Sequence, residues 1–172
     1  MQTDPPLSTG EMLRLTMRRW VTGVAIVTSH YEEYSHGMTV NSFVSLSLDP
    51  PLVGVTMNHE TRTFHLVEKS GVFAVTMLSD LQVALAERFA GRGPEPLDRM
   101  AGLDAFSLVT GAPLIRGGVA YVDCRVVHKH PLRHATLLIG EVLAARPAAM
   151  GPDGVERPPL VYFNRQFNRI GS

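Results

Sequence analysis

The sequence predicts a mainly β protein: a closed antiparallel barrel, Greek-key in type, carrying a few short helices. Three observations carry that expectation. Five or six segments rich in β-branched and aromatic residues are separated by Gly- and Pro-bearing turns. Helical patterns are short and number only two or three. They do not alternate regularly with the strands, as a doubly wound parallel sheet would require. The 172 residues suit one domain with a proper core, read as residues 10–172 behind a mobile polar arm at 1–9.

In chain order, a helix is expected from about Gly10 to Trp20, with Leu13 and Met17 as i,i+4 neighbours and Arg14, Arg18 and Arg19 largely on the other faces. Gly23 opens the strand VAIVTS, and YEEYSHG reads as a hairpin connection. Next comes GMTVNSFVSLSLDPP, Gly37 to Pro51, a strand with an unusual polar content. It carries Thr39, Asn41, Ser42, Ser45 and Ser47 where a plain core strand would carry Val or Ile, and it stops at Asp-Pro-Pro because proline lacks the ladder N–H. Such a strand suits the wall of a polar ligand site. LVGVTMN is the following strand, then a short helix over Thr61 to Lys69 stopped by Gly71.

GVFAVTML is a further strand. Ser79-Asp80-Leu81-Gln82 fits a capping box opening a helix that sets Leu81, Leu85 and Phe89 on one stripe and ends at Gly91. A long loop is expected over Arg92–Gly102. In GVAYVDCRVVHKH the alternation puts Tyr121, Asp123 and Arg125 on one face and Ala120, Val122, Cys124 and Val126 on the other. Pro131–His134 joins that strand to TLLIGEVLAAR as a hairpin. A second Pro/Gly loop, Ala148–Pro159, precedes the aromatic and basic tail LVYFNRQFNRI.

Composition narrows the function classes. Sixteen basic and sixteen acidic residues cancel, which argues against a chain built mainly for nucleic acid or acidic membranes and eases self-association. No run approaches the ~18 apolar residues of a membrane span, and MQTDPPLSTGE has no secretory pattern. The single cysteine, Cys124, allows no internal disulfide, so a reducing cytoplasm is the expected setting. No GxGxxG follows the first strand and no Gly-rich lysine loop is present, so any nucleotide is held in another way than the Rossmann one. Seven histidines, with His128 and His130 on one strand face, lack regular metal-ligand spacing, and no metal is expected.

Several segments together carry a family resemblance. They are Arg18-Arg19, Thr22-Gly23-Val24, GMTVNSFVSLSLDPPLV, Asn58 with Thr61-Arg62-Thr63, GVFAVTMLS followed by RFAG, then GAPL, CRVV, IGEV and LVYF. In this order and spacing, from about Met12 to Phe167, the chain resembles the flavin reductase-like family, the short NAD(P)H:flavin oxidoreductase components of two-component flavin-dependent monooxygenases. The resemblance implies a split barrel of the FMN-binding type, a homodimer, FMN or FAD in a groove, NADH or NADPH as hydride donor, and a separate monooxygenase that receives the reduced flavin.

It also implies site residues. Thr39, Val40, Asn41 and Ser42 match the segment lining the flavin ring, continued by Ser45, Leu46 and Ser47. Asn58, Thr61 and Thr63 match the position of the flavin phosphate, where a helix N-terminus favours an anion; plain N-capping by Thr61 is the alternative. Arg88, Phe89, Ala90 and Gly91 match the RFAG segment that approaches the cofactor, with Phe89 also a core candidate from its stripe. His134, Tyr162 and Phe167 are the nicotinamide-side residues. Many relatives carry Gly-Asp-His before the glycine-bearing strand; counting back from Gly140, Ala135 holds that histidine's position here and His134 stands one residue earlier. No acid or base catalyst is implied, since hydride transfer needs stacking and distance. The alternative is a split-barrel protein that binds flavin without productive nicotinamide binding.

Overall fold

The computed structural model describes residues 7–91, 98–149 and 155–170. Residues 1–6 of the expected arm and parts of the two Pro/Gly loops, 92–97 and 150–154, lie outside the described residues. Helix α1 (Thr9–Met17) is opened by a capping box in which the Glu11 carboxylate accepts from the Ser8 N–H (2.9 Å) and hydroxyl (2.8 Å). Strands β1 (Thr22–Gly23), β2 (Ala25–Tyr31), β3 (Tyr34–Val40), β4 (Val44–Leu48) and β5 (Pro51–Asn58) follow. Helix α2 (Arg62–Ser70) is capped by Thr61 and ended by Gly71 at φ 71°, a left-handed position that suits glycine. Then come β6 (Val72–Met77), a 3-10 turn (Asp80–Gln82), α3 (Val83–Phe89), β7 (Ala105–Phe106), β8 (Leu114–Ile115), β9 (Ala120–Pro131), β10 (Ala135–Pro147), β11 (Leu160–Phe163) and β12 (Gln166–Arg169).

Seven strands form one antiparallel sheet in the order β3-β2-β6-β9-β10-β5-β4. The two edges, β3 and β4, are consecutive in the chain and separated only by Asn41–Phe43. One core nevertheless collects Val40 of β3, Val27 of β2, Phe73 and Val75 of β6, Val122 and Cys124 of β9, Leu138 of β10 and Val53, Val55 and Met57 of β5, closed by Phe64 and Val67 of α2. The sheet therefore curls around its own apolar face. It does not close by a continuous ladder, so the barrel is split where a closed one is expected from the strand count. A second, three-stranded sheet runs β1-β11-β12. Among the described residues no helix is long and apolar enough to cross a membrane.

Four details differ from the sequence expectation. The helix begins at Thr9 with Ser8 as its cap, so the segment before Gly10 already belongs to it. The polar stretch Gly37–Pro51 is two strands, broken at Asn41–Phe43. Leu81 is exposed, because the 3-10 turn at Asp80–Gln82 rotates it away from the stripe, and Ala86 and Phe89 bury that face instead. The Tyr121–Asp123 face of β9 is also covered: Tyr121 packs with Ala112 and Leu114, and buried Asp123 accepts hydrogen bonds from the Val109 N–H (2.7 Å), the Thr110 N–H (2.8 Å) and the Thr110 hydroxyl (2.5 Å). A buried carboxylate with three donors costs far less than an unpaired one.

Cys124 is buried at the centre of the main core. Burial, and secondarily the neighbouring Asp123 charge, push its thiol up to about 12 from an ordinary 9.0. The thiol should resist iodoacetamide in the native protein at pH 8 and react stoichiometrically in denaturant. Stability should be unaffected by this group below pH 9 and fall as pH rises from 9 towards 12, where only the unfolded chain can ionise it; rapid native-state alkylation would contradict the burial.

Candidate functional site

The end of β3 is built to receive α3. Gly37 has no side chain, and a Cβ there would lie 2.9 Å from Cε1 of the buried Phe89 ring. Phe89 therefore lies directly on the strand. Two residues on, the Thr39 hydroxyl donates to the Ala86 carbonyl at 2.7 Å. These two contacts hold the C-terminus of α3, with Ala90, beside Thr39–Asn41. From the other side, the β11–β12 hairpin brings up Tyr162 and Phe167, which are cross-strand partners with ring centroids 5.4 Å apart. The Val24 N–H donates to the Leu160 carbonyl (3.2 Å), and the Leu78 N–H to the Val24 carbonyl (3.0 Å), tying this hairpin to the main sheet.

Between these elements lies a cavity of about 160 Å³ lined by Val24, Thr39, Val40, Asn41, Ala90, Tyr162 and Phe167. Six of the seven were expected from the sequence as site residues; Val24 was not. The lining is aromatic and aliphatic with a few neutral hydrogen-bonding groups, the chemistry of a site for a flat, uncharged ring. At its rim, β3 pairing ends with Val40 and β4 pairing starts with Val44. The peptide groups of Asn41–Phe43 thus stand outside the ladder, free to meet a bound molecule.

The remaining expected residues are placed differently. The Ser42 hydroxyl donates to the Thr56 carbonyl (3.1 Å) and accepts from the Thr56 N–H (3.2 Å), so it staples the strand break to β5. Ser45, Leu46 and Ser47 lie on edge strand β4 around a register shift, with Leu46 covering Gly54. Asn58 accepts from the Glu60 N–H (2.9 Å), and Thr61 caps α2 by accepting from the Phe64 N–H (3.3 Å). Thr63 is fully buried, 2.9 Å from Nδ1 of buried His36, which puts its hydroxyl in the core. Arg88 donates to the Asp98 and Ala101 carbonyls (3.3 and 2.9 Å). Phe89 is core, as its stripe suggests, and Gly91 ends α3 at φ 69°. His134 is exposed in the β9–β10 turn, its carbonyl accepting from the His59 N–H (3.1 Å), and Ala135 pairs with Asn58. Among the described residues no three His, Cys, Asp or Glu side chains are placed to hold a metal.

Sequence reading missed a second, larger cavity of about 340 Å³ that shares Asn41 and Tyr162 with the first. It is lined further by Arg14, Met17, Arg18, Trp20, Thr22, Asn164 and Arg165. Asn164 and Arg165 form the two-residue β11–β12 turn, both at positive φ (49° and 65°). The visible signal was Asn-Arg set between the aromatic pairs LVYF and QF.

The same organisation recurs in known proteins. Residues 17–171 match the family described as flavin reductase like domain. This chain belongs to that family. It is 36% identical to the actinorhodin polyketide dimerase of Streptomyces coelicolor, covering 94% of this chain and 86% of that protein. It is 31% identical to the reductase component of the 4-hydroxyphenylacetate 3-monooxygenase of Thermus thermophilus, covering 93% and 96%. The structure of the NADH:FAD oxidoreductase SgcE6 of Streptomyces globisporus C-1027, in complex with NAD and FAD fragments, superposes with a TM-score of 0.83 at 29% identity, covering 97% and 98%. The split-barrel fold expected from the sequence is thus the fold of a flavin reductase.

Because Phe89 fills the space over Gly37, Gly37→Val should destabilise the protein by about 1–3 kcal/mol through overpacking. Urea denaturation checks this, and an unchanged midpoint would show that α3 is not seated by that gap.

Proposed function

We propose that this chain reduces free or loosely held flavin, FMN or FAD, with NADH or NADPH, and supplies the reduced flavin to a separate monooxygenase. The observation that carries the reading is the convergence of Thr39, Val40, Asn41, Ala90, Tyr162 and Phe167 on one cavity in a chain of the flavin reductase-like family. When both are bound, the reduced nicotinamide would supply a hydride that the flavin ring accepts. The protein's part is positional. Asn41 and the unpaired peptide groups of Asn41–Phe43 meet the ring's amide-like edge without themselves titrating. Val24, Val40 and Ala90 exclude water, and Tyr162 and Phe167 give an aromatic cover. No side chain is asked to donate or remove a proton at the reacting carbon.

The N-terminus of α2, with Asn58, Thr61 and exposed Arg62, suits the flavin phosphate; buried Thr63 supports it only from within. His134 stands at the nicotinamide side, next to Ala135. The working form is a homodimer. Helix α1 buries none of its residues within the chain and exposes Met12, Leu13 and Met17, with Trp20 exposed just beyond its end, and edge strand β4 exposes Val44, Leu46 and Leu48. A second copy is the occupant that covers both. The single cysteine and the reductant supply point to the cytoplasm as the place of work.

Three measurements test this. Mixing the protein with NADH and catalytic FMN or FAD should give flavin-dependent loss of the nicotinamide near-ultraviolet absorbance. Flavin binding without that loss would leave a flavin-binding protein and overturn the reductase reading. Ala135→His should lower the KM for NADH with little change in flavin affinity, and an unchanged KM would remove Ala135 from the nicotinamide contacts. Sedimentation should give a mass near two chains.

A further inference from the structure

A third cavity, of about 960 Å³, lies at the other end of α3 from the ring pocket, and no residue lines both. Gln82, at the start of α3, faces this cavity; Ala90, at the end, faces the ring pocket. The walls are pinned from several sides. The Ala148 N–H donates to the Val119 carbonyl (2.9 Å), and the Asp80 N–H to the Pro158 carbonyl (3.0 Å). The buried Gln82 amide accepts from the Ser79 N–H (3.1 Å) and donates to the Arg116 carbonyl (2.9 Å), which ties α3 to the turn before β9. Gly117, at φ 88°, lets that turn pass close over the amide, since a Cβ there would lie 3.2 Å from the Gln82 Nε2.

Two guanidinium groups of this cavity are seated on one ring. Arg116 and Arg146 lie 4.9 and 4.4 Å from the centroid of Phe106, and Arg146 lies 5.5 Å from that of Tyr121. Phe106 and Tyr121 meet edge to face, their centroids 5.0 Å apart. A guanidinium stacked on a ring is held through its flat face, which leaves its in-plane N–H groups open to an acceptor. Charge balance narrows what that acceptor is. Arg116 is paired with Asp104 at 3.1 Å, and Glu156 and Arg157 bring one charge of each sign to the lining. Arg146 has no carboxylate partner among the described residues. One positive charge is therefore left uncompensated. Leu81, Val119, Pro147 and Ala148 make much of the remaining wall aliphatic. A planar fork of donors beside apolar surface matches a carboxylate on an apolar body, whereas a polyanion would meet too little charge. We infer that this cavity is a second small-molecule site, for an organic monocarboxylate that pairs with Arg146 and rests its apolar body on the aliphatic wall. Its volume is within the roughly 300–1,000 Å³ range of small-ligand sites. Because the two cavities share no lining residue, the inference is independent of the flavin reductase reading.

The test uses the full chain, with benzoate as the probe and isothermal titration as the measurement. Benzoate should bind saturably at millimolar concentration or below, and benzamide, of similar shape without the charge, about tenfold more weakly. Inorganic phosphate, which has charge but no apolar body, should also bind about tenfold more weakly. Arg146→Gln removes the unpaired charge and should weaken benzoate by about tenfold. Asp104→Asn releases Arg116 from its exposed ion pair and should tighten benzoate by about threefold. Unfolding curves confirm that both variants are folded. The inference is overturned by any of three results: no saturable benzoate binding, benzamide or phosphate bound as tightly as benzoate, or benzoate affinity unchanged in Arg146→Gln. Benzoate binding in a protein that fails to reduce flavin would sink the reductase reading and leave this site standing. Flavin reduction without benzoate binding would remove this site alone.

Discussion

Phe89 lying on the bare backbone of Gly37 is the contact on which the site depends. A single missing side chain on β3 lets α3 approach the sheet closely enough for the Thr39 hydroxyl to reach the Ala86 carbonyl. The phenyl ring contributes apolar burial, about 2 kcal/mol or more for a side chain of this size. The hydroxyl contributes direction. Together they fix Ala90 against Thr39–Asn41 and so define one wall of the pocket. The opposite wall, the β11–β12 hairpin, is anchored independently through Val24, which accepts from Leu78 and donates to Leu160. Two separately braced walls facing each other make a preformed slot.

The slot and its neighbour divide the electrostatic labour. The smaller cavity offers neutral donors, acceptors and aromatic faces, suited to a ring whose charge changes during reaction. The larger gathers fixed positive charge. The smaller cavity has no arginine in its lining. A permanent cation there would favour one charge state of any redox ring, whereas peptide dipoles stabilise developing charge without a titrating group.

Much of the fold was legible because the cues were local. Hairpins, the Thr61 cap, the Gly71 stop and the alternation in β9 all follow from residues within a turn or two of each other. The pocket residues from β3 and the tail were legible only through their combined resemblance to a family. What was not legible depended on long-range placement. Thr63 looks like a phosphate ligand beside a helix start until β3 delivers His36 to it. The Ser42 hydroxyl looks free to face a ligand until Thr56, fourteen residues on, engages it as both donor and acceptor. Arg18 reads as solvated helix surface until the β11–β12 turn closes over it. Asp123, on the face of β9 opposite Cys124, proved to be a buried clamp for the 109–110 backbone. In each case the partner comes from far along the chain, and no periodicity encodes it.

The strand break at Asn41–Phe43 has one more consequence. On one side it leads to a pocket residue; on the other it leads, within three positions, to the exposed edge strand β4. Anything that adds a strand or a helix to that edge restricts the same short linker that frames the pocket rim. Were covering of that edge and occupancy of the pocket both to order this linker, each would strengthen the other by the same factor, by the reciprocity of linked equilibria. An open seam in the barrel would then couple what covers the edge to what fills the pocket.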